Sequence, residues 1–446
     1  MKRKILALIA LVLGVAVSYA GDMTLTVYNN DLAIVKMTDE MSFKKGRQTV
    51  SLTGVADKID PTSVRFSAKR TDVTIIEQNY RYDLASSDNV LRRYIDKEIA
   101  VRLKTGELIE GTLQSVAGDL VVRCRDGKLN VVRTDAIERY EFPELPEGLV
   151  TRPTLFWDMF SKGEITTPTE VSYMTGGCSW HAEYTAVVSD DERQMELSSW
   201  VSVDNTSGAT FNDATLKLVA GDIHRAEPPA PAFTMKMMRA EADNQAAGGF
   251  EERGLFEYHL YEMKGKTTIR NAEIKQVSLF APASTKVEKQ YVYDARKNDT
   301  KVSISVEFVN SEKDGLGMPL PAGVVRVYKR DVDGGLEFVG EDRLDHTPKN
   351  ETVRLLLGYA FDIVGERKQL EVKNISPRIT EETVQISLRN RKNQPVRITA
   401  VEHRWRDWEI IKSSIDYVKK DASTIEFTVN VSPDSEAVVT YTVRTK

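Results

Sequence analysis

The chain has 446 residues, of which 41% are hydrophobic and 28% are charged, and its formal net charge is −5. These values are typical of a water-soluble globular protein with room for about two to four domains. Because the chain is acidic and has no block of basic residues, we expect it to repel nucleic acids and anionic lipids. Nucleic acid is therefore excluded as an expected partner.

The first twenty residues have the order of a secretory signal peptide. Positive charge in Met1 to Lys4 precedes the apolar run Ile5 to Val17, and Ser18-Tyr19-Ala20 places small residues where signal peptidase reads them. Cleavage after Ala20 would remove three basic residues and no acidic one, which moves the net charge from −5 to −8. An uncleaved membrane anchor is the alternative, but the run is short for the roughly 20 residues that a bilayer core requires. We expect an exported protein, periplasmic or associated with the cell envelope, with no transmembrane span after cleavage.

Apolar and polar residues alternate with period two in most of the chain after Gly21. This pattern predicts an all-β, multi-domain fold of antiparallel β-sandwiches with a small inserted SH3-like or Sm-like barrel and an immunoglobulin-like C-terminal sandwich. Residues 21–86 are predicted to form an N-terminal β region. Its predicted strands are Thr24–Tyr28, Arg47–Leu52 and Val64–Ser67.

Residues 87–142 are predicted to form the small barrel. A short helix capped by Ser87 or Asp88 comes first, and closely spaced strands follow, with a hairpin signal at Asp126-Gly127. The pattern resembles the first half of an Sm-like or SH3-like fold. Asn130 has no Arg-Gly pair near it, however, so RNA is a poor ligand. We expect a structural insert or a protein-docking module.

Residues 149–366 are predicted to form a central β-sandwich, and residues 367–446 are predicted to form the immunoglobulin-like sandwich. A mobile loop is expected at residues 227–254, which are rich in proline, alanine and glycine and cannot bury enough apolar surface to become ordered. The loop contains a patch of methionines at Met235, Met237 and Met238. Contact with a partner or with copper is the alternative role of this patch, but no His or Cys joins it.

The only two cysteines are Cys124 and Cys178. Each lies in an apolar, strand-like run, and the two lie in different predicted domains. We expect two buried free thiols, with a disulfide between them as the alternative.

The densest local set of potential ligands is Asp342, Asp345 and His346, which follow one another closely enough to bind a divalent metal ion if the segment is a loop. The alternative is an ordered turn in which the carboxylates accept backbone N–H groups and pair with Arg343. No established metal-binding spacing is matched, so the turn is the favoured interpretation. No other cofactor is expected.

No catalytic residues are predicted. Cys178 and His181 suggest a nucleophile and a base, but residues three apart on an extended strand point to opposite faces. The segment is instead predicted to be a glycine-rich strand entry with Trp180 in the core. The remaining histidines have no ligand-like spacing around them: His224, His259 and His403.

Eight segments of the chain resemble the sequences of one protein family: Val27–Ala33, Ile59–Val64, Gln78–Leu84, Phe142–Pro153, Tyr173–Trp180, Lys217–Asp222, Gly317–Gly323 and Gly340–Arg367. The family that they resemble is a bacterial one named domain of unknown function 4139 (DUF4139), which includes mucoidy-inhibitor-like proteins. The resemblance covers nearly the whole mature chain and implies a multi-part β architecture without established catalytic residues. Cys178 stands where the family usually has an aliphatic residue, and the small barrel replaces the long coiled coil of the mucoidy-inhibitor branch.

The sequence therefore favours a non-enzymatic, exported protein whose sandwich and barrel faces bind another envelope component, either a protein or a glycan. One alternative is a metal-dependent hydrolase of glycans or peptides centred on Asp342, Asp345 and His346. Another alternative is an adhesin or an assembly subunit.

Overall fold

The computed structural model describes residues 15–17, 21–70, 72–146, 149–221, 223–224, 250–331 and 333–446. In this part of the chain strands predominate, the only α-helix is Ser87–Arg93, and no helix is long and apolar enough to cross a membrane. The prediction of an all-β fold with several sheets is confirmed. The predicted signal peptide lies outside the described residues except for 15–17. The predicted mobile loop and its methionine patch also lie outside them, except for residues 250–254, which belong to a strand.

The described residues fall into two compact units. The first contains the residues up to Ser179 together with Asp204–Lys217 and Gly265–Ile274. The second contains Trp180–Val203, Leu218–Lys264 and Lys275–Lys446. The domain limits predicted from the sequence (21–86, 87–142, 149–366 and 367–446) divide the chain differently from these two units. They stay predictions.

The first six strands are β1 (Val15–Val17), β2 (Asp22–Tyr28), β3 (Ala33–Phe43), β4 (Gly46–Thr53), β5 (Arg65–Ala68) and β6 (Val73–Arg81). Strands β2, β4 and β5 lie where the alternating pattern predicted them. Alternate residues of β3 are buried from Ala33 to Phe43, except for the half-buried Asp39, as expected for a strand with one face on a core.

A small module follows β6. It consists of helix α1 (Ser87–Arg93) and strands β7 (Glu98–Leu103), β8 (Leu108–Ser115), β9 (Leu120–Cys124), β10 (Leu129–Val132) and β11 (Ile137–Glu141). The helix cap is Ser86, whose hydroxyl accepts the Asn89 N–H at 3.2 Å, so the predicted caps at Ser87 and Asp88 were one and two residues too late. Gly127, with φ of 86°, forms the predicted hairpin turn.

The module has its own apolar core, which includes Leu91, Val101, Leu113 and Val122. Its strands pair in the order β10-β9-β8-β7-β11. Among the strands that the structure describes no barrel is closed, so the module is one open five-stranded sheet packed with a helix.

The next eight strands are β12 (Thr154–Ser161), β13 (Ile165–Thr175), β14 (Cys178–Val188), β15 (Gln194–Asn205), β16 (Phe211–Ala220), β17 (Phe250–Leu255), β18 (Tyr258–Ile269) and β19 (Glu273–Lys286). In the first unit β12 pairs with β4 and β6, and β13 pairs with β3 and β5, all antiparallel. In the second unit Trp180 is 1% exposed and its indole N–H donates to the Val219 carbonyl at 3.1 Å. The predicted core position of Trp180 is confirmed.

The last eleven strands are β20 (Glu288–Asp294), β21 (Lys301–Val309), β22 (Gly323–Arg330), β23 (Leu336–Leu344), β24 (Thr352–Ser376), β25 (Ile379–Asn390), β26 (Val396–His403), β27 (Trp408–Ser413), β28 (Val418–Lys419), β29 (Thr424–Val431) and β30 (Ser435–Thr445). Nine of these strands form one sheet in the order β27-β30-β25-β24-β21-β20-β26-β29-β28. Residues 367–446, expected to form a separate immunoglobulin-like sandwich, share this sheet with β20 and β21, and the expected limit at residue 366 falls inside β24. The sheet encloses a core that includes Tyr293, Ile398 and Phe427.

Candidate ligand-binding cavity

The core-facing side of β26 changes from apolar to charged at its carboxyl end. Val396, Ile398 and Ala400 are buried, and the same alternation places Glu402 inward with 4% of its surface exposed. Arg404 continues the alternation just past the strand and is 9% exposed. Burying a charge is costly unless it is paired and hydrogen-bonded, so these two residues need partners nearby.

The partners come from β24, β25 and β30. Arg367 Nε donates to both Glu402 carboxylate oxygens, at 2.9 and 3.2 Å, and its Nη2 donates to Glu382 Oε1 at 3.1 Å. Arg404 donates to Glu382 Oε2 at 2.6 Å, to Glu402 Oε2 at 3.3 Å and to the Tyr441 hydroxyl. The Tyr441 hydroxyl in turn donates to Glu402. We call these five residues, Arg367, Glu382, Glu402, Arg404 and Tyr441, the Glu402 network.

Arg367 and Tyr441 have raised pKa values in this network. Burial alone would lower the pKa of Arg367, but the charge and hydrogen bonds of Glu402 raise it above its ordinary value. Burial raises the pKa of Tyr441, and the neighbouring Glu402 charge raises it further. The Glu402 oxygens already accept hydrogen bonds from two guanidinium groups and a phenol. The carboxylate is therefore held in place as a fixed acceptor.

A second buried pair lies at the same end of the sheet. Strands β20 and β26 are parallel, with Tyr293 opposite Ala400, so their carboxyl ends lie side by side. Asp294, at the end of β20, is 7% exposed, and its carboxylate lies 3.1 Å from His403 Nε2. The parallel pairing thus brings an aspartate and a histidine together from positions more than a hundred residues apart.

These groups border a cavity of about 540 Å³, lined by Ala295, Arg296, Asp299, Thr300, Glu366, Arg367, Val401, Glu402 and His403. We call it the polar cavity. Beside it, the Arg296 guanidinium lies 4.9 Å from the ring centre of Trp405, and Trp405 is 68% exposed. Arg367 Nη1 and His403 Nδ1 have no hydrogen-bond partner among the described residues. The cavity therefore combines fixed hydrogen-bond donors, carboxylate acceptors and an adjacent aromatic face.

The residues predicted for a metal site have other contacts. Asp342 Oδ1 accepts the Arg343 N–H at 2.8 Å and Oδ2 accepts the Leu356 N–H at 2.6 Å, while His346 Nδ1 accepts the Ala322 N–H at 3.2 Å. The carboxylate of Asp342 accepts backbone N–H groups, as the ordered-turn alternative expected, but the residue lies in strand β23 and not in a turn. In the part of the chain that the structure describes, no group of three or more His, Cys, Asp or Glu side chains is arranged to hold a metal ion. The metal site stays a prediction.

Both cysteines are free thiols, so the disulfide alternative is wrong. Cys178 is buried as predicted, with its sulfur 3.5 Å from Asn205 Oδ1, and burial raises its pKa to about 11. Cys124 is only half-buried and accepts a hydrogen bond from Asn130 Nδ2 at 3.2 Å.

The polar cavity was not predicted from the sequence. No ligand-like spacing surrounds His403, and Glu402 and Arg404 were not among the predicted site residues. A usable signal was present, because Val396, Ile398 and Ala400 predict a core face whose next two positions are Glu402 and Arg404. Charged residues at core-facing positions of a strand indicate either an ion-pair network or a site.

A model of the family described as domain of unknown function (DUF4139) matches residues 169–446. No curated protein matches the chain. The matched residues include every member of the Glu402 network and every residue that lines the polar cavity.

Proposed function

The chain belongs to the DUF4139 family, and from this premise we propose that it is a non-enzymatic, exported protein of the bacterial cell envelope that binds a glycan in the polar cavity. The segments that resemble mucoidy-inhibitor-like proteins suggest a closer relationship, which is part of this proposal and adds no catalytic residue. Export is supported by the N-terminal sequence, in which a basic segment precedes an apolar run and small residues.

The observation that carries the proposal is the arrangement of polar groups around the cavity. Sugars present hydroxyl groups that both donate and accept hydrogen bonds, together with an apolar ring face that packs on aromatic side chains. The polar cavity offers a donor at Arg367, the unpaired ring nitrogen of His403, acceptors at Asp299 and Glu366, and Trp405 beside it. Because the Glu402 network fixes its charged groups in advance, little ordering is needed when a ligand binds.

The absence of a free acid–base pair in the network favours binding over catalysis. Both carboxylates, Glu382 and Glu402, accept hydrogen bonds from Arg367 and Arg404. The guanidinium donors engage the carboxylate oxygens and hold both side chains in place. The network therefore supports recognition of a polar ligand.

The test is calorimetric titration of the purified protein with soluble glycan fragments released from bacterial cell wall. We expect Trp405→Ala and Arg296→Ala to weaken binding at least about tenfold without lowering thermal stability, since Trp405 is 68% exposed. The matched control is Trp200→Ala, because Trp200 is also exposed, at 47%, and lies on β15 outside the polar cavity. Equal binding by the Trp405 variant, or no binding of any fragment by the wild type, would contradict the proposal.

A further inference from the structure

A second cavity, of about 280 Å³, lies in the same unit and shares no lining residue with the polar cavity. Its charged residues are Glu192, Lys289, Lys329 and Lys392, and its apolar wall includes Ile304 and Val306. We call it the lysine pocket. Three lysines and one glutamate give its lining an excess of positive charge, although the chain as a whole has a net charge of −5.

Glu192 reaches the lysines from the turn between β14 and β15. Its N–H donates to the Ser189 carbonyl at 2.9 Å, and its φ of 59° lies in the left-handed region that usually holds glycine or asparagine in such turns. Its carboxylate accepts from Lys329 Nζ at 2.6 Å and from Lys289 Nζ. The two lysines, on β22 and β20, therefore converge on one carboxylate.

The third lysine has no carboxylate partner among the described residues. Lys392 Nζ lies 3.2 Å from the Tyr291 hydroxyl and 5.6 Å from the centre of its ring. Lys289 Nζ lies 5.5 Å from the same ring centre. Two ammonium groups thus lie against one aromatic ring, and their mutual repulsion would be relieved by a second negative charge.

The pKa shifts of Glu192 and Lys289 agree with this arrangement of charges. Burial would raise the pKa of Glu192, but hydrogen bonds and charge from Lys289 and Lys329 lower it. Burial would lower the pKa of Lys289, but Glu192 and Tyr291 raise it. Both groups are therefore charged at neutral pH, and the lysines remain strong donors to any carboxylate that replaces Glu192.

We propose that the lysine pocket binds a carboxylate attached to an apolar group, and that Glu192 competes with this ligand for Lys289 and Lys329. Lys289 and Lys329 already bind one carboxylate, that of Glu192, so a carboxylate on a ligand can make the same contacts. Ile304 and Val306 line the pocket and supply the wall for the apolar part. Movement of the turn at Glu192 would also release its left-handed backbone conformation.

The experiment titrates purified protein with N-acetylleucine and, as a neutral match of the same shape, N-acetylleucinamide. We expect the acid to bind and the amide not to bind. Lys329→Gln should weaken binding of the acid at least about tenfold, the effect of one charge-assisted hydrogen bond. Glu192→Gln should tighten it at least about threefold, because the competing carboxylate is removed.

The matched control is Glu288→Gln, which removes the same charge next to Lys289 from a residue outside the lysine pocket and should leave the affinity unchanged. Thermal unfolding of each variant separates loss of the pocket from loss of the fold. Binding seen only in the Glu192→Gln variant would also support competition. Three results would overturn the proposal. They are weaker binding of N-acetylleucine by Glu192→Gln than by the wild type, equal binding of N-acetylleucine and N-acetylleucinamide, and no binding of N-acetylleucine by either the wild type or Glu192→Gln.

Discussion

Glu402 lines the polar cavity and also forms ion pairs that we expect to stabilise the fold. We predict that Glu402→Gln destabilises the protein by roughly 3 kcal/mol or more, because it removes the more buried of the two carboxylates that Arg367 and Arg404 share. Urea unfolding measures the loss. The control is Asp434→Asn, whose partner Arg391 lies 3.0 Å away on the surface and whose side chain is 81% exposed. Equal stability of the two variants would show that the Glu402 network does not support the fold.

Cys178 provides a prediction about pH. Its pKa of about 11 leaves the thiolate at about one part in a thousand at pH 8, and the side chain is 1% exposed. We expect iodoacetamide to alkylate Cys124 at least about tenfold faster than Cys178 in the folded protein, as read by mass spectrometry of peptides. Because the folded pKa is raised, the contribution of Cys178 to stability is complete below the ordinary thiol value of 9 and is lost as the pH rises towards about 11. Faster alkylation of Cys178 would contradict its burial.

The hydrolase alternative makes its own prediction at Asp342, Asp345 and His346. If these residues bind a catalytic metal, purified protein should contain about one equivalent of divalent metal, and His346→Ala should remove it without unfolding the protein. Metal analysis by mass spectrometry measures the content, and Trp fluorescence checks the fold. Protein that binds no metal when supplied with zinc or manganese would eliminate this alternative.

At the scale of elements, the turn between β13 and β14 carries a sharp steric requirement. Gly177 has φ of 76°, and a Cβ atom there would lie 2.7 Å from Ser207 Cα. We expect Gly177→Ala to destabilise the protein by roughly 2–4 kcal/mol in urea unfolding. Gly46→Ala is the matched control, since Gly46 has φ of 101° with no atom within 4 Å of the added Cβ, so it should show only the backbone cost of roughly 1 kcal/mol. Similar losses for both would mean that the contact with Ser207 is relieved.

The same elements show what local sequence can predict. Alternation located β2, β4 and β5 to within one or two residues, and the Asp126-Gly127 pair located the turn after β9, because both signals depend on neighbouring residues. Strand pairing depends on distant residues. Nothing near Asp294 indicates that β20 lies parallel to β26, and nothing near Glu192 indicates that Lys329 lies 2.6 Å away. Both cavities are products of such pairing, which explains why neither was predicted.

At the scale of the whole molecule, the small module has the anatomy of an insertion. The segments that enter and leave it are adjacent, since the Ala85 N–H donates to the Val150 carbonyl at 2.9 Å and the Val150 N–H donates to the Asp83 carbonyl at 3.0 Å. The side chains of α1 bond to these flanking segments: Arg93 pairs with Asp83, and the Asn89 amide donates to the Leu84 carbonyl. The core of the module is separate from the core of the nine-stranded sheet.

We therefore predict that residues 87–142 can be replaced by a short Gly-Ser linker without unfolding the remaining chain. The flanking segments are already hydrogen-bonded to each other at Ala85 and Val150, so a short linker between Ser86 and Pro143 closes only a small loop and costs little entropy. The expected result is a single cooperative urea transition, and unchanged affinity for glycan fragments and for N-acetylleucine, because both proposed sites lie in the other compact unit. A full-length variant with Leu113→Ala is the control: Leu113 is fully buried in the module core, so its loss should destabilise the module by roughly 2–5 kcal/mol. Aggregation of the shortened chain, or loss of its cooperative transition, would show that the module is required for the rest of the fold.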